Sequence, residues 1–157
     1  MVYTNDNIKK ICNFYVNEWH LVTAILPYVV KLVEEQVEII AYCERSINKN
    51  IEVILSRINI KEKTKEKIKK IDFGINEISK IETKKNLVII VSGSEKYIKA
   101  TNIQIEKNVK KFTEKIKVKI INCYDISDDK IDINKVIKSY EILLKTSGET
   151  QLKINNT

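Results

Sequence analysis

The sequence predicts an α/β protein in which a parallel, or mostly parallel, sheet carries helices on both faces. Three near-continuous apolar segments have the pattern of buried strands: VEIIAYC from Val37, NLVIIVS from Asn86 and KVKIINCY from Lys117. Between them, apolar residues recur every three or four positions, which indicates helices. Strands that alternate with helices imply βαβ crossovers and a three-layer architecture.

The first helix is predicted to start near Trp19 and to bury one face. Its apolar residues are Trp19, Val22, Leu26, Val29 or Val30, and Val33. Asn17 can cap the start of this helix, because its side chain can accept a hydrogen bond from a free backbone N–H group. Glu18 suits the first turn, because its negative charge interacts favourably with the helix N-terminus. Pro27 lies inside the helix and removes one backbone hydrogen bond, so a bend is expected.

Further helices are predicted after VEIIAYC. Following Ser46, one face carries Ile47, Ile51, Ile54 or Leu55, and Ile58. Residues 61–70, KEKTKEKIKK, have the alternating charge of an exposed helix. The segment IKKIDF, residues 68–73, is a candidate for a short edge strand.

The second half of the chain repeats this alternation. The strand NLVIIVS ends at Gly93, and the helix after it presents Ile98, Thr101, Ile105, Val109 and Phe112 on one face. The segment DISDD, residues 125–129, is predicted to be a turn. A last helix is then predicted to end at Gly148 and to carry Ile133, Val136 or Ile137, Tyr140, and Leu143 or Leu144.

The length of 157 residues, with no Pro- or Gly-rich linker and no internal repeat, predicts one domain over residues 1–157. The end, about residues 149–157, is a candidate for a flexible tail. The N-terminus MVYTNDNIKK lacks the apolar run of a secretion signal. No segment approaches the roughly 18 consecutive apolar residues of a membrane span. A cytoplasmic protein that does not enter a membrane is therefore expected.

The composition, 43% apolar and 31% charged, is that of a globular protein. Cys12, Cys43 and Cys123 each lie in an apolar segment and form no CxxC pair, which predicts buried, reduced thiols. His20 is the one histidine, so the sequence offers few residues for a zinc site or for a histidine-centred catalytic triad. No metal and no cofactor are expected.

The net charge of +7 suggests nucleic acid as a partner, but the kind of basic residue argues against it. Arg45 and Arg57 are the two arginines among 28 basic residues, which leaves 28 − 2 = 26 lysines. Arginine reads phosphates and base edges by paired hydrogen bonds, whereas lysine is mostly a solvated charge. Binding of nucleic acid is therefore kept only as an alternative.

The order of several short motifs resembles the MEDS domain, a sensory domain named for methanogens, methylotrophs and the DcmR regulator. The segment ICNFYVNE, followed by a helix that leads into PYVVKLVEEQVEIIAY, is similar to the opening of that family. The segment from IEKNVKKF to LLKTSG resembles its closing helix, its Cys-Tyr-Asp strand and its final helix and glycine. The resemblance runs over nearly the whole chain. It departs from the family where Lys10 and Ile11 replace an early histidine and where VEEQVE replaces a glycine-containing turn, and over residues 60–85 it matches only in general pattern.

The resemblance implies a RecA-like or KaiC-like relative of the Rossmann-like folds, without a phosphate-binding loop. It makes ICNFYV a strand, although Ile8, Ile11, Tyr15 and Trp19 also fit helical spacing. A working loop needs a run such as GxxxxGK[ST], whose backbone N–H groups and lysine hold the phosphates. The segment NFYVNEWHLV has no glycine and no lysine, and Glu18 would repel a phosphate. ATP binding in the usual mode is therefore not expected.

Ligands of parallel α/β sheets bind outside the carboxyl ends of the strands. That rule nominates one pocket lined by ten residues: Tyr15, Asn17, Glu18, Glu44, Arg45, Ser92, Gly93, Ser94, Tyr124 and Asp125. The competing interpretation is that these residues are only caps and turn residues. The turn at SGSEKY could hold an anion, or Ser94 could simply cap a helix. The acidic segment DISDDKID lacks the glycine and the final glutamate of an EF-hand loop, which favours a solvated turn.

The leading hypothesis is a non-enzymatic sensory or regulatory module that binds a small ligand or a protein partner at this crevice. Proteins of the resembled family relay signals to attached kinases or DNA-binding regions, so a partner would carry the signal here. A second hypothesis is an enzyme that binds a nucleotide or phosphate at Ser92, Gly93 and Ser94. A basic nucleic-acid-binding protein and a self-associating scaffold are the third and fourth.

Overall fold

A computed structural model describes residues 7–78, 81–83, 85–110, 115–127, 131–145 and 148–152. The strands are β1 (Ile8–Tyr15), β2 (Glu38–Cys43), β3 (Leu87–Gly93), β4 (Val118–Asp125), β5 (Ile142–Lys145) and β6 (Gly148–Gln151). The helices are α1 (Glu18–Glu34), α2 (Asn48–Arg57), α3 (Glu62–Lys69), α4 (Glu95–Val109) and α5 (Ile133–Ile137). The strands form one sheet in the order β2-β3-β4-β1-β5-β6. Neighbouring strands are parallel except for the pair β5–β6.

Helices cover both faces of the sheet, so the predicted three-layer α/β class is confirmed. Helices α1, α2 and α3 pack on one face, hereafter the α1 face, against Ile11, Cys43 and Ile90. Helices α4 and α5 pack on the other, hereafter the α4 face, against Ile89 and Ile120. Strand β3 is buried along its whole length, because it lies inside the sheet with apolar layers on both sides.

The segment ICNFYV is a strand, as the resemblance implied and against the competing helical spacing. Strand β1 pairs with β4 on one side and with β5 on the other, which places it inside the sheet. Helix α1 begins as predicted, since the Asn17 side chain accepts the His20 N–H group at 2.9 Å. The prediction that Trp19 is buried is wrong. Its side chain is 49% exposed, because the first turn of α1 extends past the end of β1.

The predicted last helix is wrong beyond Ile137. The chain there forms α5 of five residues, followed by β5 and β6. Ile142 and Leu143 pair with β1, and Leu144 packs in the core of the α1 face, so strand pairing replaces the helical turn. Gly148 does not stop a helix; it begins β6 with φ +115°. Residues 149–151 therefore lie in β6, while residues 153–157, Phe112, Asp128 and Asp129 lie outside the described residues.

The segment after α3 lies along the outer edge of β2 without forming the predicted edge strand. The Cys43 N–H group donates to the Gly74 carbonyl at 3.2 Å, and the Asn76 amide donates to the Ala41 carbonyl at 3.1 Å. The hydroxyl of Thr83 bonds the carboxylate of Glu38 farther along the same edge. These contacts satisfy edge groups that would otherwise be free to pair with another strand.

A buried network of polar side chains on the α4 face joins α4, β4 and Tyr140, which lies two residues before β5. Asn102 and Asn122 exchange two amide hydrogen bonds, of 2.8 and 3.0 Å. Asn122 also donates to the Tyr140 hydroxyl at 2.8 Å, and the hydroxyls of Tyr140 and Tyr124 lie 2.6 Å apart. Each amide is satisfied, so the network fixes how α4 sits on the sheet.

Asn102→Ala is expected to destabilise the protein by about 1–3 kcal/mol, because it leaves polar atoms of buried Asn122 without a partner. The free energy of unfolding in urea measures this. Asn108→Ala is the matched control: it also bonds the carbonyl four residues earlier on α4, but on the exposed side. Equal losses for both variants would contradict a structural role for the network.

The C-terminal hairpin of β5 and β6 is attached to α1 and β4 through Glu149. Its carboxylate accepts hydrogen bonds from the Tyr28 hydroxyl at 2.8 Å and from the Lys119 ammonium at 3.1 Å. Burial alone would raise the pKa of Glu149, but the hydrogen bonds from Tyr28 and Lys119, with nearby Lys31, lower it below its ordinary value. The ionised carboxylate therefore favours the folded state.

This pKa shift predicts a pH-dependent effect of Glu149→Gln. Because the folded pKa lies below the ordinary value of 4.5, the stabilisation is present above about pH 4.5 and is lost as pH falls through the folded pKa. The variant should be less stable than the wild type by up to about 1 kcal/mol at neutral pH, and the gap should close in acid. Urea unfolding at several pH values measures it, with Glu141→Gln at the exposed residue just before the hairpin as control. A gap that is unchanged in acid would contradict the prediction.

Candidate functional site

The topological switch point of the sheet, hereafter the crevice, is where β1 and β4 end side by side. The chain leaves β1 through α1 on the α1 face, and leaves β4 through α5 on the opposite face. Two neighbouring strands with such diverging connections are the usual place for a ligand in an open α/β sheet. Tyr15 and Asp125, the last residues of the two strands, are register partners there. The Ile126 N–H group donates to the Tyr15 carbonyl at 2.9 Å and closes the base of the crevice.

Several N–H groups at the turn from β1 to α1 bond other atoms of the same turn. The Val16 N–H group donates to Nδ1 of His20 at 3.1 Å. The Asn17 side chain accepts the N–H group of His20, and the Asn17 carbonyl accepts that of Leu21. A phosphate-binding loop leaves such groups free for its ligand. Here the N–H groups of Val16, His20 and Leu21 bond the chain itself, and Asn17 is a helix cap.

The turn from β3 to α4, the other predicted anion site, holds a carboxylate of the protein itself. Glu44, which follows β2, accepts the Ser94 N–H group through Oε1 at 2.9 Å. Its own N–H group donates to the Ser92 carbonyl at 2.8 Å. Ser94 accepts the Tyr97 N–H group at 3.2 Å and thereby caps α4. A carboxylate already stands where a phosphate would meet the helix N-terminus.

Gly93 makes this close approach feasible. Its φ is +152°, and a Cβ atom there would lie 2.7 Å from Cβ of Glu44 and 2.9 Å from Cδ1 of Tyr97. Real Cβ atoms do not come so close, so any side chain at this position must push the glutamate or the tyrosine away. The glycine serves an internal contact between β2, β3 and α4.

Glu18, Arg45 and Asp125 are charged side chains that follow or end strands at this edge. The guanidinium of Arg45 lies 3.9 Å from the carboxylate of Glu18, and the Arg45 side chain is 79% exposed. Asp125 accepts the N–H group and the hydroxyl of Ser127, at 2.9 and 2.6 Å, which forms a local turn. Arg45 and Glu18 therefore form an ion pair between the residues that follow β2 and β1.

The two tyrosines predicted for the pocket lie on opposite faces of the sheet. Tyr15 packs in the core of the α1 face, where burial, then Asp125, the thiols of Cys123 and Cys43, and Glu18 raise its pKa. Tyr124 packs on the α4 face, and its hydroxyl bonds Tyr140. Tyr15 is thus beside the crevice, whereas the side chain of Tyr124 belongs to the buried network.

The predicted free, buried cysteines are confirmed. Burial raises the pKa of Cys12 to about 11 and that of Cys43 to about 11, and it raises the pKa of Cys123 as well. Thiolate is the reactive form of cysteine, so these thiols are poor nucleophiles. Among the described residues, no group of three or more His, Cys, Asp or Glu side chains is arranged to hold a metal ion.

One polar residue of this region was not singled out from the sequence. Asn13 is 4% exposed and lies in β1 two residues before Tyr15. Its amide nitrogen donates to the Leu144 carbonyl at 2.9 Å, but its Oδ1 has no hydrogen-bond partner in the described part of the chain. The signal that could have revealed it is an amide side chain inside the otherwise apolar segment ICNFY.

Comparisons of the chain with protein-family models, with curated proteins and with solved structures gave no match. The likeness to the MEDS domain stays a prediction. The fold defines a Rossmann-like α/β domain with a crevice at the carboxyl edge of its sheet. No helix in the described ranges has the length and apolar content needed to cross a membrane.

Gly93→Ala is expected to destabilise the protein by roughly 2 kcal/mol more than Gly148→Ala. Both glycines have positive φ, but a Cβ atom at Gly148 would meet nothing within 4 Å. The control therefore carries only backbone strain, whereas the Gly93 variant also displaces Glu44 or Tyr97. Urea unfolding of the two variants gives the difference, and equal losses would show that the close packing around Gly93 has no energetic importance.

Proposed function

We propose that this protein is a non-enzymatic sensory or regulatory module that binds a small ligand or a protein partner at the crevice between β1 and β4. The observation that carries the proposal is the Glu44 carboxylate on the Ser94 N–H group. This contact lies at the turn from β3 to α4, beside the crevice, and it puts the chain's own carboxylate where a nucleotide-binding sheet would hold a phosphate. Binding at such a site shifts a conformational equilibrium and requires no reaction.

The reactive groups support a binding role over catalysis. Asn17 and Ser94 cap helices, Asp125 closes a turn, and Glu44 bonds a helix start. The cysteine thiols are buried, with raised pKa values. His20 accepts a backbone N–H group. Because these groups already bond the chain or are buried, they favour binding over catalysis, in keeping with the resemblance to a sensory domain. Reduced thiols are also in keeping with a cytoplasmic protein.

The competing function is a nucleotide or phosphate enzyme that uses the Ser92–Ser94 turn. It requires the Ser94 N–H group to exchange Glu44 for a phosphate, which adds negative charge beside Glu44 and near Glu95 in the first turn of α4. Like charges close to one another oppose binding. The observed hydrogen bonds therefore favour the non-enzymatic proposal.

A thermal-shift screen separates the two functions, because a ligand bound only by the native state raises the melting temperature. The expected result is no shift with ATP, GTP or inorganic phosphate and a saturable shift with a small organic metabolite or a purified partner. Glu44→Ala removes the carboxylate that bonds the Ser94 N–H group, so it tests whether this carboxylate keeps phosphate out. Glu95→Ala, which removes a carboxylate from the first turn of α4, is its control. A saturable shift of the wild-type protein with ATP or phosphate would contradict the proposal.

A further inference from the structure

Most of the net charge of the protein lies in one short segment. Residues 57–70, hereafter the basic segment, carry seven basic and two acidic side chains, a net charge of +5 out of +7 for the whole chain. The rest of the chain carries 28 − 7 = 21 basic and 21 − 2 = 19 acidic side chains, so it is nearly neutral. The seven cations of the basic segment are Arg57, Lys61, Lys63, Lys65, Lys67, Lys69 and Lys70.

The fold turns these cations toward solvent. Helix α3 buries Thr64 and Ile68, and Ile68 packs in the core of the α1 face. Six of the seven cations are exposed, and Lys65 is partly exposed. The basic segment exposes no large apolar side chain. Helix α3 is therefore a charged surface that is anchored to the core by its apolar side.

The acidic side chains of the protein leave this charge unneutralised. Among the residues that the structure describes, none of the seven cations lies within 4.0 Å of a carboxylate oxygen. Asp72, the first acidic residue after the segment, accepts the Asn48 amide and the Gly74 N–H group, each at 2.9 Å. Its carboxylate thus serves the turn after α3, and the cations of α3 face water.

The stability of α3 does not account for so many lysines. Lys63 and Lys67 stand four residues apart, as do Lys65 and Lys69, and like charges at that spacing destabilise a helix. Lys61 is the N-cap residue and Lys63 lies in the first turn, where the helix dipole disfavours positive charge. Lys67 and Lys69 suit the dipole in the last turn, but Lys61 and Lys63 oppose it. A bound polyanion would relieve this repulsion.

The surface fits a partner that binds through charge alone. A protein interface has apolar and aromatic anchors at its centre, and a membrane-surface helix inserts apolar side chains. The basic segment exposes neither kind. The phosphate backbone of a nucleic acid requires only cations, because its binding is driven by release of the counterions that the phosphates hold. Lysine suits such contacts, which carry no sequence information.

We propose that the basic segment is a docking surface for the phosphate backbone of nucleic acid, without preference for base sequence. The proposal goes beyond the function proposed for the crevice, because it concerns α3 and does not depend on what the crevice binds. Free phosphate meets few of these lysines, whereas a polymer of phosphates meets most of them at once. The expectation that inorganic phosphate and ATP cause no thermal shift is therefore unchanged.

The test follows the fluorescence anisotropy of a short labelled DNA duplex as the full-length protein is added, at several salt concentrations. The segment variant changes three exposed lysines together: Lys61→Gln, Lys63→Gln and Lys67→Gln. The matched control removes the same net charge from three exposed lysines elsewhere: Lys9→Gln, Lys96→Gln and Lys107→Gln.

The wild-type protein is expected to bind duplexes of unrelated sequence equally, and more weakly as salt rises. The segment variant should lose about tenfold or more in affinity at low salt, and its slope of log affinity against log salt should fall by about 2–3, because three phosphate contacts are lost. The control variant should bind nearly as tightly as the wild type. The segment variant should not melt at a lower temperature, because the substitution removes charges that repel one another or oppose the helix dipole.

Four results would overturn the inference. Equal losses in the two variants would show that net charge binds DNA, and not the basic segment. Tighter binding of polyglutamate than of DNA at the same salt would indicate an acidic protein, and tighter association with phosphatidylserine vesicles would indicate a membrane. Backbone amide signals of residues 61–70 that do not move when DNA is added to the ¹⁵N-labelled wild-type protein would exclude this surface, whether or not the variant folds. None of these results bears on the crevice, which the thermal-shift screen tests separately.

Discussion

Glu44 crosses from the end of β2 to the start of α4, where its carboxylate accepts the Ser94 N–H group. This contact depends on Gly93, because a side chain there would overlap Glu44 and Tyr97. It also fixes the geometry of the carboxyl edge, since it ties the loops after β2 and β3 together. At the start of α4 the Ser94 N–H group therefore bonds Glu44 and not an external anion. At the start of α1 the N–H groups of Val16 and His20 bond the side chains of His20 and Asn17.

The elements that the sequence predicted well are those whose signal is local. Strand β3 is an unbroken apolar run buried on both sides, and α1 has a cap, an acidic first turn and a regular apolar face. The end of the chain was mispredicted because its partner is remote. Ile142 and Leu143 pair with β1, some 130 residues earlier, and the same apolar spacing fits a helix when that strand is ignored. Tertiary pairing here overrides the local pattern.

The candidate site was predictable in position but not in chemistry. The rule that ligands bind at the carboxyl ends of strands identified Glu44, Ser94, Tyr15 and Asp125, and the structure places all four at that edge. The sequence could not show that Glu44 bonds Ser94, because their contact joins residues 50 positions apart. Nor could it separate Tyr15 from Tyr124, whose faces depend on the register of two strands. Asn13 was missed because its orphaned oxygen is a property of packing and not of a motif.

The most direct test of the central claim is a phosphate titration of the ¹⁵N-labelled wild-type protein in which the Ser94 amide signal is followed. If Glu44 already satisfies that N–H group, the signal stays where it is as phosphate is added at constant ionic strength and pH. A saturable displacement of the Ser94 signal would show that the helix start accepts an external anion. That result would contradict the account and return the protein to the phosphate-binding class.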